Sequence, residues 1–280
     1  MKNFFTKYIF FVLLAFTIPI QTKISTTNIS TKISSFFTRS KEEIVHQEFN
    51  DITRLEISSE HAAVIVESWK QKCILVELKK KGNSAFLENI SLKSKKDQTS
   101  LHISTILKDE KISGTATLRI LVPKNIAIKI TTTNGAITIK KVSGPLELNS
   151  DHGEISVIQG SNTVIAKTID SNILIQRKNM KSDHALNIAS QHGNITLYVP
   201  QDINADLQAH TVSGKIISDL FVTLHPQTIQ LHEEIFKNMH HHVHGMIGQP
   251  MAHVDPATIL LATDFGAIKI YGYDQVNKKK

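Results

Sequence analysis

Met239-His240-His241-His242-Val243-His244 is the one run in the sequence whose composition suggests a metal. Read as a helix, it puts His240 and His244 four residues apart on one face, a spacing at which two imidazoles can grip one ion. Two ligands do not make a site. Glu233 has a similar azimuth but lies nearly two turns away, about 10 Å, so a third donor would have to be His232, His253 or Asp255. No His-Glu-x-x-His string supplies a built-in base. His240 and His244 are therefore the expected metal ligands, set against the plainer readings of an exposed polar helix face or a pH-responsive surface.

His152 and His192 each precede a glycine, and Asp151, Glu154 and Asp170 lie near the same positions. A carboxylate pair there would suit polysaccharide cleavage, whereas acidic residues beside glycine more simply form turns. Cys73 is the only cysteine, which excludes an internal disulfide and a thiolate cage, and its apolar run Cys73-Ile74-Leu75-Val76 predicts a buried small hydrophobe. No Gly-x-Ser-x-Gly elbow, phosphate loop or dinucleotide fingerprint is present. The sequence thus predicts no catalytic residue, no cofactor-binding residue and no cofactor.

The elements that position these side chains follow from one repeated phrase: a polar turn, a glycine, any residue, then an isoleucine or leucine. Asn134-Gly135-Ala136-Ile137, Ser143-Gly144-Pro145-Leu146, His152-Gly153-Glu154-Ile155, His192-Gly193-Asn194-Ile195, Ser213-Gly214-Lys215-Ile216 and Phe265-Gly266-Ala267-Ile268 are its copies, with Ser171-Asn172-Ile173 in place of a glycine phrase. Gly135, Gly144 and Gly153 are spaced nine apart, so two phrases make a coil of about 18 residues, a solenoid period. Alternation then points Ile128, Ile130, Ile137, Ile139, Leu146, Leu148, Ile155 and Val157 inward and their neighbours outward. Coils stacked about 4.8 Å apart would bury one aliphatic column, and His152 and His192 would lie two coils, about 10 Å, apart. Glycine, or Asn172, is expected to supply the positive φ of each corner.

The remaining segments bound the rest. Residues 1–20 read as a signal peptide or signal anchor, with Lys2 and Lys7 before an apolar run at 8–20. A polar linker is expected at 21–44, the folded body at 45–275 with alternating runs that include 87–92, and a basic tail at 276–280. Leu231, Ile235, Met239, Val243 and Met246 have helical spacing, which predicts an amphipathic helical insertion at 226–245 between Pro226 and Gly245. With 41% apolar but only 6% aromatic residues the core must be aliphatic. The net charge of +7 comes mainly from lysine, Arg39, Arg54, Arg119 and Arg177 being the only arginines. Lysine runs suit an anionic glycan or lipid, or simply solvated strand edges. Nucleic-acid readout would call for arginine forks and stacking aromatics, so no nucleic-acid partner is expected.

Several segments also resemble a known group. Leu55-Glu56-Ile57-Ser58-Ser59 followed by a strand ending at Trp69, then Leu121-Val122-Pro123, Gly193-Asn194-Ile195-Thr196-Leu197-Tyr198-Val199-Pro200 and Thr263-Asp264-Phe265-Gly266-Ala267-Ile268 are similar to the putative adhesin domain family of bacteria, over 49–271. The chain departs from that pattern at His61-Ala62, where Asn-Gly is usual, and in the His-rich insert after His225. The resemblance implies a right-handed β-solenoid at the envelope or surface, and carries no catalytic residues across. The expectation is an all-β, non-enzymatic, exported protein found in the periplasm, at the cell surface or outside the cell. It would bind cell-envelope glycan or a surface protein, or self-associate through uncapped ends. The alternatives are a sensory or regulatory ectodomain anchored by residues 8–20, and a polysaccharide-acting enzyme.

Overall fold

The computed structural model describes residues 31–33, 41–109, 114–160, 163–225, 241–248 and 255–273. Among the described residues strands dominate, with one short helix. The N-terminal part comprises β1 (Thr31–Ile33), β2 (Lys41–Phe49), β3 (Arg54–Ser59), β4 (Ala63–Trp69), β5 (Ile74–Gly82), α1 (Ser84–Asn89), β6 (Ile90–Asp97), β7 (Ser100–Leu107) and β8 (Gly114–Pro123). The regular phrases give β9 (Ala127–Thr132), β10 (Ile137–Lys140), β11 (Leu146–Ser150), β12 (Ile155–Ile158), β13 (Val164–Thr168), β14 (Ile173–Gln176), β15 (Ala185–Ser190) and β16 (Ile195–Val199). The C-terminal part adds β17 (Asn204–Ser213), β18 (Ile216–Ser218), β19 (Val222–Leu224), β20 (His242–Gly248), β21 (Ala257–Phe265) and β22 (Ile268–Gly272).

These strands form two eleven-stranded sheets. The first runs β6-β7-β3-β9-β11-β13-β15-β21-β17-β20-β19, and the second β1-β2-β5-β8-β4-β10-β12-β14-β16-β22-β18. From β9 to β16 successive strands alternate between the sheets and pair in parallel with the strand two places on. Ile128 is opposite Leu146 and Leu146 opposite Val164, an even register step that lengthens where Val164 meets Leu186 and where Ile173 meets Ile195.

Alternation within each strand decides what is buried. In the first sheet Leu101, Leu55, Ile128, Leu146, Val164, Leu186, Ile259 and Leu207 align across neighbouring strands, and all are buried. In the second, Ile120, Val66, Ile139, Val157, Ile175, Leu197 and Ile270 do the same. Each large aliphatic side chain removed from water contributes about 1.5–3 kcal/mol. One pair of strands leaves its row open above and below, so burial is complete only when strands stack.

The turns from the first sheet to the second carry a device that the glycine phrase only hints at. Thr105, Ser59, Thr132, Ser150, Thr168, Ser190, Thr263 and Thr211 form a line of buried hydroxyl residues at the ends of the first-sheet strands. Thr132 Oγ1 donates to the Gly135 carbonyl at 2.7 Å, Ser190 Oγ to that of Ser171 at 2.9 Å and Thr263 Oγ1 to that of Gly193 at 2.9 Å. Ser150 Oγ accepts from the Gly153 amide at 2.8 Å. These bonds satisfy turn groups that would otherwise be buried without partners.

The expected role of glycine needs correction. Among the described residues only Gly248 is a glycine with positive φ, 86°, and Asn172 does not adopt that conformation either. Glycine is required instead because the turns pack on one another. A Cβ on Gly153 would sit 2.1 Å from the Gly135 carbonyl oxygen, and one on Gly193 1.9 Å from that of Ser171. In register it is Ser171 that takes the glycine position, while Asn172 aligns with Glu154 and its Oδ1 accepts from the Asn194 amide at 2.8 Å.

Strand order departs from chain order at both ends. β3 and β4 lie between β7 and β9 and between β8 and β10, and β21 and β22 lie between β15 and β17 and between β16 and β18. Outside them are antiparallel strands: β2 and β5 on β8, β6 on β7, and β20 and β19 beyond β17. The run 87–92, expected as strand, is split: Asn83 Oδ1 accepts from the Phe86 amide and caps α1, and β6 starts only at Ile90.

The expected helix at 226–245 also needs correction. His242–Gly248 is strand β20, antiparallel to both β17 and β19, so Val243 and Gly245 alternate with His242 and His244 at period 2. Strand alternation puts Val243, Gly245 and Ile247 on one face and sends Met246, which the helical spacing groups with Val243, to the other. Residues 226–240 lie outside the described residues.

Candidate functional site

Outward-facing residues of the first sheet make rows that run from strand to strand. One row holds Lys95, His102, Glu56, Lys129 and Glu147 in register, with His102 Nδ1 3.0 Å from Glu56 and Lys129 Nζ 2.7 Å from Glu147. The Lys129 ammonium holds the Glu147 carboxyl below its ordinary pKa. This row borders a shallow groove of about 900 Å³ with Lys93, Lys95, Ser104 and Thr131 on its walls.

A second outer feature gathers at the turns. His152 Nδ1 lies 3.0 Å from Asp170 Oδ2, and His192 Nδ1 2.9 Å from Asp170 Oδ1, so one carboxylate accepts from imidazoles on both sides. The His192 ring stacks on Phe265, with centroids 5.2 Å apart and planes 6° from parallel. Asp170, on the turn between those of the two histidines, is the carboxylate that joins them. All three are half exposed, and the line is a surface ladder of turn side chains.

On the opposite turns, where the second sheet hands the chain back, Lys70, Lys124, Lys141 and Lys178 line a depression of about 500 Å³ with Trp69, Ser68, Ser143, Gln159 and Asn179. The Trp69 indole is held by donating from Nε1 to the Cys73 carbonyl at 2.9 Å. No carboxylate lines this depression among the described residues, so its four ammonium groups reinforce one another's field. Cys73 itself is half-buried rather than buried, and burial followed by the nearby Glu48 raises its thiol pKa, which keeps it protonated.

The third feature sits at the C-terminal end of the first sheet. Asp206 on β17, His225 just past β19 and His244 on β20 bring one donor atom each to within 4.8 Å of one another. His225 Nε2 is 3.2 Å and His244 Nε2 3.6 Å from Asp206 Oδ1, and the two rings meet edge to face with centroids 4.6 Å apart. Pairing explains the convergence: β17 opposes Gln208 to His244 and Asp206 to Met246, and the His225 amide donates to the His244 carbonyl at 3.1 Å. All three side chains are about one-third exposed.

Of the expected ligands, His240, His232 and His253 lie outside the described residues. His244 is described, on a strand rather than a helix, and the atoms that converge on it are those of Asp206 and His225. Sequence reading overlooked both because their neighbourhood depends on antiparallel pairing between segments far apart in the chain. A strand reading of His242-Val243-His244 would have set His242 and His244 on one face and sent the search to neighbouring strands.

No family model matches the chain, and no curated protein matches it. Solved structures do. A putative cell adhesion protein from Clostridium sporogenes is similar at 14% identity over 83% of this chain and 99% of its own, with a TM-score of 0.49. A putative adhesin from Bacteroides fragilis is similar at 12% identity, covering 82% and 96%, with a TM-score of 0.31. One from Parabacteroides distasonis is similar at 9%, covering 81% and 96%, with a TM-score of 0.29. The names of these structures are of the same kind as the group that the sequence segments resemble.

Proposed function

We propose that the chain is a non-enzymatic, exported β-solenoid of right-handed winding, associated with the cell envelope, whose outer surfaces bind a surface partner, with acidic cell-envelope glycan preferred over protein. The observation that supports this most is the parallel register of the two sheets, in which strands alternate between sheets at an even step while the aliphatic rows face each other. That arrangement spends the apolar side chains on the interior and leaves long, flat, polar outer faces, suited to many weak contacts along a polymer. The depression lined by Lys70, Lys124, Lys141 and Lys178 beside Trp69 combines positive charge with an aromatic face, the chemistry that an acidic sugar would meet.

Retention of purified acidic and neutral envelope glycans by the full chain tests the reading. Acidic glycan is expected to be held at low salt, released as ionic strength rises, and held at least about tenfold more weakly by Lys70→Gln/Lys124→Gln/Lys141→Gln/Lys178→Gln. Equal retention by that variant would move the contact elsewhere. Shortened sugar products would overturn the non-enzymatic reading.

A further inference from the structure

We infer that Asp206, His225 and His244 form a binding site for one divalent transition-metal ion, zinc by preference, which clasps the C-terminal end of the first sheet. This inference is independent of the surface-contact reading. A tetrahedral zinc centre with nitrogen and oxygen ligands near 2.05 Å separates its ligand atoms by about 3.3 Å. The two Nε2–Oδ1 separations, 3.2 and 3.6 Å, bracket that edge before any ion is bound. Two imidazoles and one carboxylate suit zinc, copper, nickel or iron, and the nitrogen donors disfavour calcium and magnesium. Three protein ligands leave a fourth position for water, and partial exposure of all three side chains gives an ion a way in.

The Nε2 atoms of His225 and His244 both lie toward Asp206 Oδ1. An ion takes the Nε2 lone pair of each ring, with the ring proton on Nδ1. The fold makes the position consequential. β19 is three residues long, and an ion at His225 and His244 ties the residue just past it to β20. Asp206 carries the tie into β17, which pairs with both β20 and β21. Metal should therefore order the end of the sheet as well as occupy it.

The test uses the full chain without a polyhistidine tag, stripped with chelator and titrated with zinc chloride by calorimetry. Cobalt chloride serves as a spectroscopic probe, and melting is followed with and without zinc. Wild type should bind one zinc ion tightly, give the intense visible cobalt bands of a four- or five-coordinate site, and melt higher with zinc. Asp206→Asn, His225→Gln and His244→Gln should each weaken zinc by about tenfold or more and lose the cobalt bands. His241→Gln/His242→Gln, which alters neighbouring histidines outside the cluster, should keep both. Weak binding by wild type without those bands would overturn the site even if a variant failed to fold. So would binding that survives in the three ligand variants but is lost in His241→Gln/His242→Gln.

Discussion

The middle of the stack, β9 to β16, and its C-terminal end, β17 to β22, draw on the same phrase but assemble it differently. In the middle, chain order and spatial order agree, and each of β11 to β14 lies in parallel between the strand two before it and the strand two after it. At the end, β17 leaves a gap that β21 fills from much later in the chain, and β20 and β19 close the sheet antiparallel. The middle buries its polar turn groups on hydroxyls and its apolar rows on each other. The end carries the same hydroxyls, Thr211 and Thr263, and in addition brings together a carboxylate from β17 and imidazoles from β20 and from just past β19. Repetition therefore produces a uniform stack, and the break in repetition is where unlike side chains converge.

Deleting 255–280 should break this comparison most severely. It removes β21 and β22, whose Ile259, Leu261, Ile268 and Ile270 are buried and contribute about 6–12 kcal/mol together, comparable to the net stability of a whole domain. Loss of the cooperative melting transition is expected by circular dichroism. A truncated chain with an unchanged midpoint would show that the end is an appendage.

A smaller effect separates packed turns from open ones. Gly193→Ala places a methyl 1.9 Å from the Ser171 carbonyl oxygen, whereas Gly160→Ala meets only a Val157 methyl at 3.0 Å. The first should cost about 2–4 kcal/mol in urea unfolding and the second under about 1 kcal/mol. Equal costs would remove close turn packing as the reason for glycine.

The smallest effect is a pH dependence in the loop where the register step lengthens, between β14 and β15. His184 Nδ1 lies 3.0 Å from a nitrogen of the buried Arg177 guanidinium and accepts from the Lys181 amide, so it must be unprotonated there. Burial first, then the Arg177 charge, lowers the His184 pKa below its ordinary 6.5, and burial lowers that of Arg177 to about 10. A depressed folded-state value means that the unfolded chain takes up the proton first as pH falls. Stability from this loop is full above pH 6.5 and is lost as pH drops through the lower folded value. Amide exchange in 177–184 should accelerate below pH 6.5 relative to the middle strands, and His184→Gln should flatten that difference.

Much of the middle was legible because period-2 alternation and a recurring glycine leave few choices of face or turn. Ile128, Leu146 and Ile155 could be placed by counting. The reason for the glycines was misjudged, since a positive φ is a local property and the actual demand, room for the carbonyl of the adjacent turn, is not. A Ser or Thr three residues before the glycine, as in Ser150-Asp151-His152-Gly153 and Thr263-Asp264-Phe265-Gly266, was the signal for the hydroxyl line. At the C-terminal end, counting fails because β21 skips over β17 and β20 turns back. His244 was identified as a residue capable of ligation, but no spacing within its own segment points to Asp206 or His225.

The out-of-sequence position of β21 and β22 has a consequence for how the molecule is made. A ribosome releases β17 well before β21, so for that interval the rim of β15 faces a segment with the same alternation as its eventual neighbour: Leu207 and Ala209 where Ile259 and Leu261 belong. If β17 pairs with β15 first, completing the sheet requires β21 to enter between them, whereas a strand in chain order would add at an edge.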